Sequence, residues 1–158
     1  MANVFTDLGA AQLAGLTNGA DRPSLPSYGG KVYHLDVSKT FIPATADPLY
    51  LALLPKGARL LTDLCGVDYE DPGAACVCSI GYFTNDATPV VVDVDYFGTA
   101  LDLGSAAGTK RFSEAGTRGV GLLTPVVFTE DTWIVVTFTT TTTAISGKQT
   151  WHLTYTLG

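Results

Sequence analysis

Gln149-Thr150-Trp151-His152-Leu153-Thr154-Tyr155-Thr156-Leu157 alternates without a break, with Trp151, Leu153, Tyr155 and Leu157 on one side and Thr150, His152, Thr154 and Thr156 on the other. A period of two is the mark of a half-buried β-strand. Just upstream, residues 133–144 alternate in the same way, with Ile134, Val136 and Phe138 on one face and Val135, Thr137 and Thr139 on the other. The threonine run over 139–143 suits a pleated surface, where β-branched side chains pack well. Ile145-Ser146-Gly147-Lys148 reads as a turn, so the two strands are expected to form a hairpin. Its inner face would join Trp151, Leu153 and Tyr155 to Ile134, Val136 and Phe138.

Working outward, the same β signal recurs. In residues 31–37, Tyr33, Leu35 and Val37 would face a core while His34 and Asp36 face out. Residues 49–54 form an apolar run stopped by Pro55-Lys56-Gly57, a turn signal. Residues 58–67 and 74–83 are further strand candidates. Residues 88–94 read as another, broken by Asp95-Tyr96-Phe97-Gly98, and 98–121 as a long Gly-rich loop with room for one helical turn. Residues 122–128 make a strand in which Pro125 implies an edge or a bulge. Many short strands with almost no helical periodicity predict an all-β chain, an antiparallel β-sandwich of the jelly-roll kind over residues 31–158.

Residues 1–30 differ. They hold five glycines and two prolines with no sustained period, although a short helix over 7–14, ended by Gly15, is expected. They also hold Val4, Phe5, Leu8, Leu13, Leu16, Leu25 and Tyr28, more apolar residues than a free linker carries. The stretch is read as an extended N-terminal arm that orders either against its own domain or against a neighbour. Phe5, Leu8, Leu13, Leu25 and Tyr28 are its expected contact residues.

The 158 residues are one domain's worth, with nine Lys and Arg against fifteen Asp and Glu for a net charge of −6. Clustered basic side chains are what phosphate backbones and anionic membrane surfaces require, so neither nucleic acid nor membrane is expected as a partner. Hydrophobic residues make up 46% and charged residues only 15%, against about 25% charged in an average domain. So few charges leave apolar surface to be covered by partners. There is no basic-then-apolar leader pattern at the N-terminus, and three cysteines are too few for a disulfide scaffold. Synthesis and folding in a reducing host cytoplasm are expected.

The search for chemistry finds no site. His34 and His152 fall on polar strand faces and read as exposed strand residues rather than ligands. Cys76 and Cys78, two apart on a strand, point the same way as Ile80 and Tyr82 and read as reduced core residues, since i and i+2 give poor disulfide geometry. Zinc would need further ligands at suitable spacing, and only Cys65 and the scattered histidines remain. Asp63, Asp68, Glu70 and Asp71 surround a turn but lack a calcium-loop pattern. Gly104-Ser105-Ala106-Ala107-Gly108-Thr109-Lys110 lacks the phosphate-loop spacing. No catalytic residue, metal or cofactor is expected.

Four stretches carry a family likeness: Leu54-Pro55-Lys56-Gly57-Ala58-Arg59-Leu60-Leu61; Gly73-Ala74-Ala75-Cys76-Val77-Cys78-Ser79-Ile80-Gly81-Tyr82; Val94-Asp95-Tyr96-Phe97; and Gly147-Lys148-Gln149-Thr150-Trp151-His152-Leu153-Thr154-Tyr155. Together they resemble small virion proteins of tailed bacteriophages, over residues 31 to the C-terminus. The cysteine pair and the threonine run depart from that pattern. The resemblance implies a jelly-roll capsid cement (decoration) protein that binds the outside of the head and bridges major capsid protein subunits. It implies no catalytic residues. A charge-poor surface would also pair with itself, in trimers ahead of dimers. A carbohydrate-binding module of a virion fibre, using Trp133 or Tyr82 as exposed aromatics, is the alternative, and a glycan-cleaving enzyme on the same fold is a more distant third.

Overall fold

The computed structural model describes residues 4–5, 31–42, 47–71, 76–104, 106–124, 126–139 and 145–157, with backbone alone at 4–5, 41–42 and 145–146. The strands are β1 (Val4–Phe5), β2 (Val32–Ile42), β3 (Leu49–Leu54), β4 (Ala58–Leu60), β5 (Gly66–Tyr69), β6 (Val77–Thr84), β7 (Val91–Asp102), β8 (Gly108–Arg111), β9 (Thr117–Arg118), β10 (Thr132–Phe138) and β11 (Ile145–Leu157). One helical turn, α1 (Val120–Leu123), and two 3-10 turns, Thr62–Leu64 and Phe112–Glu114, complete the described elements. The strands form two sheets, ordered β1-β3-β10-β6-β7-β9 and β2-β11-β5-β8, with β4 also on β11. All the pairings are antiparallel except β1 with β3. The expected antiparallel sandwich is the fold observed.

The expected inner face is also observed. Ile134, Val136 and Phe138 share one buried cluster with Trp151, Leu153 and Tyr155. They do so without forming a hairpin. β10 pairs with β3 and β6, whereas β11 pairs with β2, β4 and β5 in the opposite sheet. Ser146 and Gly147 lie inside β11, where the register against β2 shifts between Ser146 and Gln149. The residues expected to turn back are therefore a bulge in one long strand, and the chain changes sheet between Phe138 and Ile145. Alternation specifies which face is buried, not which strand lies alongside.

Further expectations are corrected: residues 58–67 are not one strand but β4, the Thr62–Leu64 turn and the start of β5. Asp95-Tyr96-Phe97-Gly98 does not end a strand, because β7 runs through it to Asp102. Three register shifts against β6 absorb the irregularity. Gly81 allows the close approach: a Cβ there would run into the backbone carbonyl oxygen of Asp93. Ala100, further along β7, sits in the left-handed region at φ 56°. The stretch expected as a loop over 98–121 thus holds the end of β7, then β8, β9 and the start of α1. In place of a strand over 122–128 there are the end of α1 and a single bridge between Val127 and Arg59.

The Pro55-Lys56-Gly57 signal does make a turn. Ala58 N–H donates to the Pro55 carbonyl at 3.0 Å, and Gly57 takes φ 85°, which a glycine adopts without penalty. Asp131 Oδ1 accepts from Lys56 N–H at 2.9 Å and ties the turn down.

β10 buries both its faces. Beside the inter-sheet core, Trp133 and Val135 form a second cluster with Tyr50, Leu53 and Phe83. Tyr50 meets both Trp133 and Phe83 edge-on, with ring centroids 5.6 Å apart in each pair. Both cysteines of the pair, and Cys65, are buried and free. The helix expected over 7–14 lies outside the described residues.

Candidate functional site

Two exposed apolar surfaces and one polar string stand out. The first apolar surface is an edge. β7 pairs with β9 only at Gly98 and Thr99, so the outer side of its first half has no strand partner among the described residues. That half displays Val91, Val92 and Val94, with Val90 just before it, at 39–57% exposure. Consecutive exposed valines on an open edge strand are a template for pairing with another chain. Asp93 and Asp95 alternate with them; the hydrogen bond and charge of Asp93 hold the Asp95 carboxyl above its ordinary value. The second surface centres on α1. Leu64, Val120, Leu123 and Val127 are all more than half exposed, and a recess of about 280 Å³ opens between the Thr62–Leu64 turn and Leu122.

The polar string crosses the outer face of the five-stranded sheet. Register places His152 opposite Asp36 and Thr154 opposite His34, while Asp68 is carried by β5 on the other side of β11. Asp36 Oδ1 lies 2.8 Å from His34 Nε2 and 2.7 Å from His152 Nδ1. The outer ring nitrogens are also held: His34 Nδ1 lies 2.9 Å from Thr154 Oγ1, and His152 Nε2 lies 3.0 Å from Asp68 Oδ2. Thr109 Oγ1 donates to the other Asp68 oxygen at 2.6 Å. The two imidazoles stack, centroids 5.9 Å apart.

The charges respond accordingly. The hydrogen bond from His152, reinforced by both histidine charges, holds Asp36 below the usual carboxylate range. Thr109 and then His152 do the same for Asp68. Partial burial opposes the charge on His152, but its hydrogen bonds to Asp36 and Asp68 outweigh that and raise its pKa.

Sequence reasoning placed His34 and Asp36 correctly on an outer face but missed their meeting with His152 and Asp68. His152 stands 116 positions from Asp36 and 84 from Asp68, and strand order alone brings them together. Of the expected arm contacts, Phe5 lies in β1, where its backbone pairs parallel with Tyr50 of β3. Leu8, Leu13, Leu25 and Tyr28 lie outside the described residues. Trp133, expected as an exposed aromatic, is fully buried. The uninterrupted run Trp133-Ile134-Val135-Val136 was the available signal, because a strand covered on both faces is apolar throughout. Tyr82 is half-buried, its ring edge-on to Tyr96 at 5.0 Å. Neither the recess beside Leu122 nor one of about 230 Å³ between Asp68, Glu70 and Lys148 is lined by a histidine or a cysteine.

The sequence matches no protein-family model and no curated protein. The structure does match solved ones. A chain of the capsid of Ralstonia phage GP4 superposes with a TM-score of 0.64 at 20% identity, over 99% of each chain. The fold is that of a phage-capsid chain. Chains from the capsids of Helicobacter pylori bacteriophage KHP30 and cyanophage Pam1 superpose with TM-scores of 0.46 and 0.45, at 18% and 22% identity. They cover 80% and 89% of this chain, and 87% and 96% of their own lengths. Among the described residues no helix is long and apolar enough to cross a membrane.

Proposed function

We propose that this chain is a structural, non-catalytic protein of a bacteriophage virion, a cement protein that binds the outside of the assembled head and bridges major capsid subunits. The observation that carries this reading is the open apolar edge of β7, with four valines displayed on a sandwich whose fold is shared end to end with a capsid chain. Covering the exposed half of each such side chain at a contact contributes about 1 kcal/mol. A partner that binds only the assembled shell stabilises it by mass action. The arm supplies further contacts through Phe5, Leu8, Leu13, Leu25 and Tyr28, and copies of the chain cluster around local symmetry axes, as trimers ahead of dimers. The alternative, a fibre-borne carbohydrate module, keeps Tyr82 of its two named aromatics, because Trp133 is fully buried.

The test uses heads from particles that lack this chain. Full-length protein added back should bind saturably, raise the temperature at which the shells open, and bind unassembled capsid subunits far more weakly. Binding of equal strength to free subunits, or shells no more heat-resistant when decorated, would overturn the reading.

A further inference from the structure

We infer that His34, Asp36 and His152 form a binding site for one divalent cation of the zinc class on the outer face of the five-stranded sheet. This inference stands apart from the role in the virion. Three donor atoms, His34 Nε2, His152 Nδ1 and Asp36 Oδ1, all lie within 4.8 Å of one another. They come from two neighbouring strands fixed by a regular ladder, so their spacing is set by backbone hydrogen bonds and not by a loop. Two imidazoles and a carboxylate are a donor set that zinc accepts, with a fourth position left to water.

The outer nitrogens supply the independent observation. In metal sites a ligating histidine gives its second ring nitrogen to an oxygen acceptor, which fixes the tautomer and aims the other lone pair at the ion. Both histidines already have such a partner on the far side. Thr154 Oγ1 sits at His34 Nδ1 and the Asp68 carboxylate at His152 Nε2, and Asp68 is itself fixed by Thr109. This outer shell holds both rings in place before the ion arrives. Ligand atoms around a tetrahedral zinc, bonded at about 2.0–2.2 Å, stand roughly 3.3 Å apart. The present 2.7 and 2.8 Å contacts to Asp36 must therefore open by about half an ångström. Exposed side chains can make that movement, for His34 and Asp36 are more than half exposed. The proton each ring shares with Asp36 leaves as the ion enters.

The experiment is a titration of chelator-treated, full-length protein with zinc chloride by calorimetry, and with cobalt(II) followed by visible absorption. Saturable uptake near one equivalent is expected, with a cobalt spectrum lacking thiolate charge-transfer bands. His34→Ala and His152→Ala should each abolish that uptake with circular dichroism unchanged. Asp68→Asn should keep the stoichiometry and weaken binding about 10–100-fold. Ser38→Ala, on the same face but bonded to Thr150, should bind as the parent does. Zinc should raise the melting temperature of the parent and leave both histidine variants unmoved. No saturable uptake, uptake that survives loss of both histidines, or a thiolate signature that moves the ion to the cysteines would each overturn the proposal.

Discussion

Removing the indole of Trp151 tests the sandwich at its centre. Trp151 is fully buried on β11, packs edge-on against Phe112 with centroids 6.2 Å apart, and donates from Nε1 to Gln149 Oε1 at 2.7 Å. Trp151→Ala leaves a cavity between the sheets, which costs about 3–5 kcal/mol for a residue of this size. The lost hydrogen bond adds about 1 kcal/mol. The total of about 4–6 kcal/mol is a large share of the roughly 5–15 kcal/mol that holds a domain folded. Trp151→Phe keeps a ring against Phe112 and should cost less than half as much. Urea unfolding followed by far-ultraviolet circular dichroism suits the comparison, since the substitution removes a fluorophore. With a slope of about 1–3 kcal/mol per molar urea, the alanine variant should lose at least about 1.3 M in midpoint with the slope unchanged. A loss below about 1.5 kcal/mol would refute the reasoning, because the indole could not then fill the space between the sheets.

Other perturbations test other parts of the molecule. Burial pushes the Cys65 and Cys76 thiols up to about 12 and about 11, and Cys78 well above its ordinary value. The thiolate is the reactive form, so at pH 8 Ellman's reagent should find no fast thiol in the folded chain and three after denaturation. The same shifts favour the folded state fully below the unfolded thiol pKa of about 8.5 and progressively less above it. Stability measured by urea midpoint should therefore fall from pH 8 to pH 11. Gly81→Ala should cost more than about 2 kcal/mol, because the new Cβ meets backbone of β7 that cannot rotate away. Ala100→Gly should be neutral or stabilising by up to about 1 kcal/mol, because it relieves a left-handed alanine; a clear loss in midpoint would contradict that. Val92→Glu should leave the melting temperature within about 2 °C of the parent, given its 47% exposure, yet weaken head binding at least tenfold.

The legible part of the fold was the part governed by local periodicity. β2 and β11 declared their inner and outer faces residue by residue, and Trp151, Leu153 and Tyr155 met Ile134, Val136 and Phe138 as the alternation required. Neighbourhood was not legible. Ser146-Gly147 resembles a hairpin turn in isolation, and only the ladder with β2 makes it a bulge. β7 hid its length because Gly98 is a strand breaker by propensity but is tolerated where Ala115 packs closely against it. The polar string was invisible for the same reason: Asp68 and His152 face one another only because β5 adjoins β11. Trp133 was misplaced because its strand was read as half-buried when both its faces are covered.

The position of β11 has a consequence for how the molecule folds. β11 is not at an edge: it has β2 on one side and β4 and β5 on the other. Among the described residues β2 has no other strand beside it, and β11 carries Trp151, Leu153 and Tyr155 into the core. The five-stranded sheet therefore closes only when β11 inserts between strands distant from it in sequence, and such pairings form slowly. Loss of β11 would remove the middle of that sheet rather than trim its border.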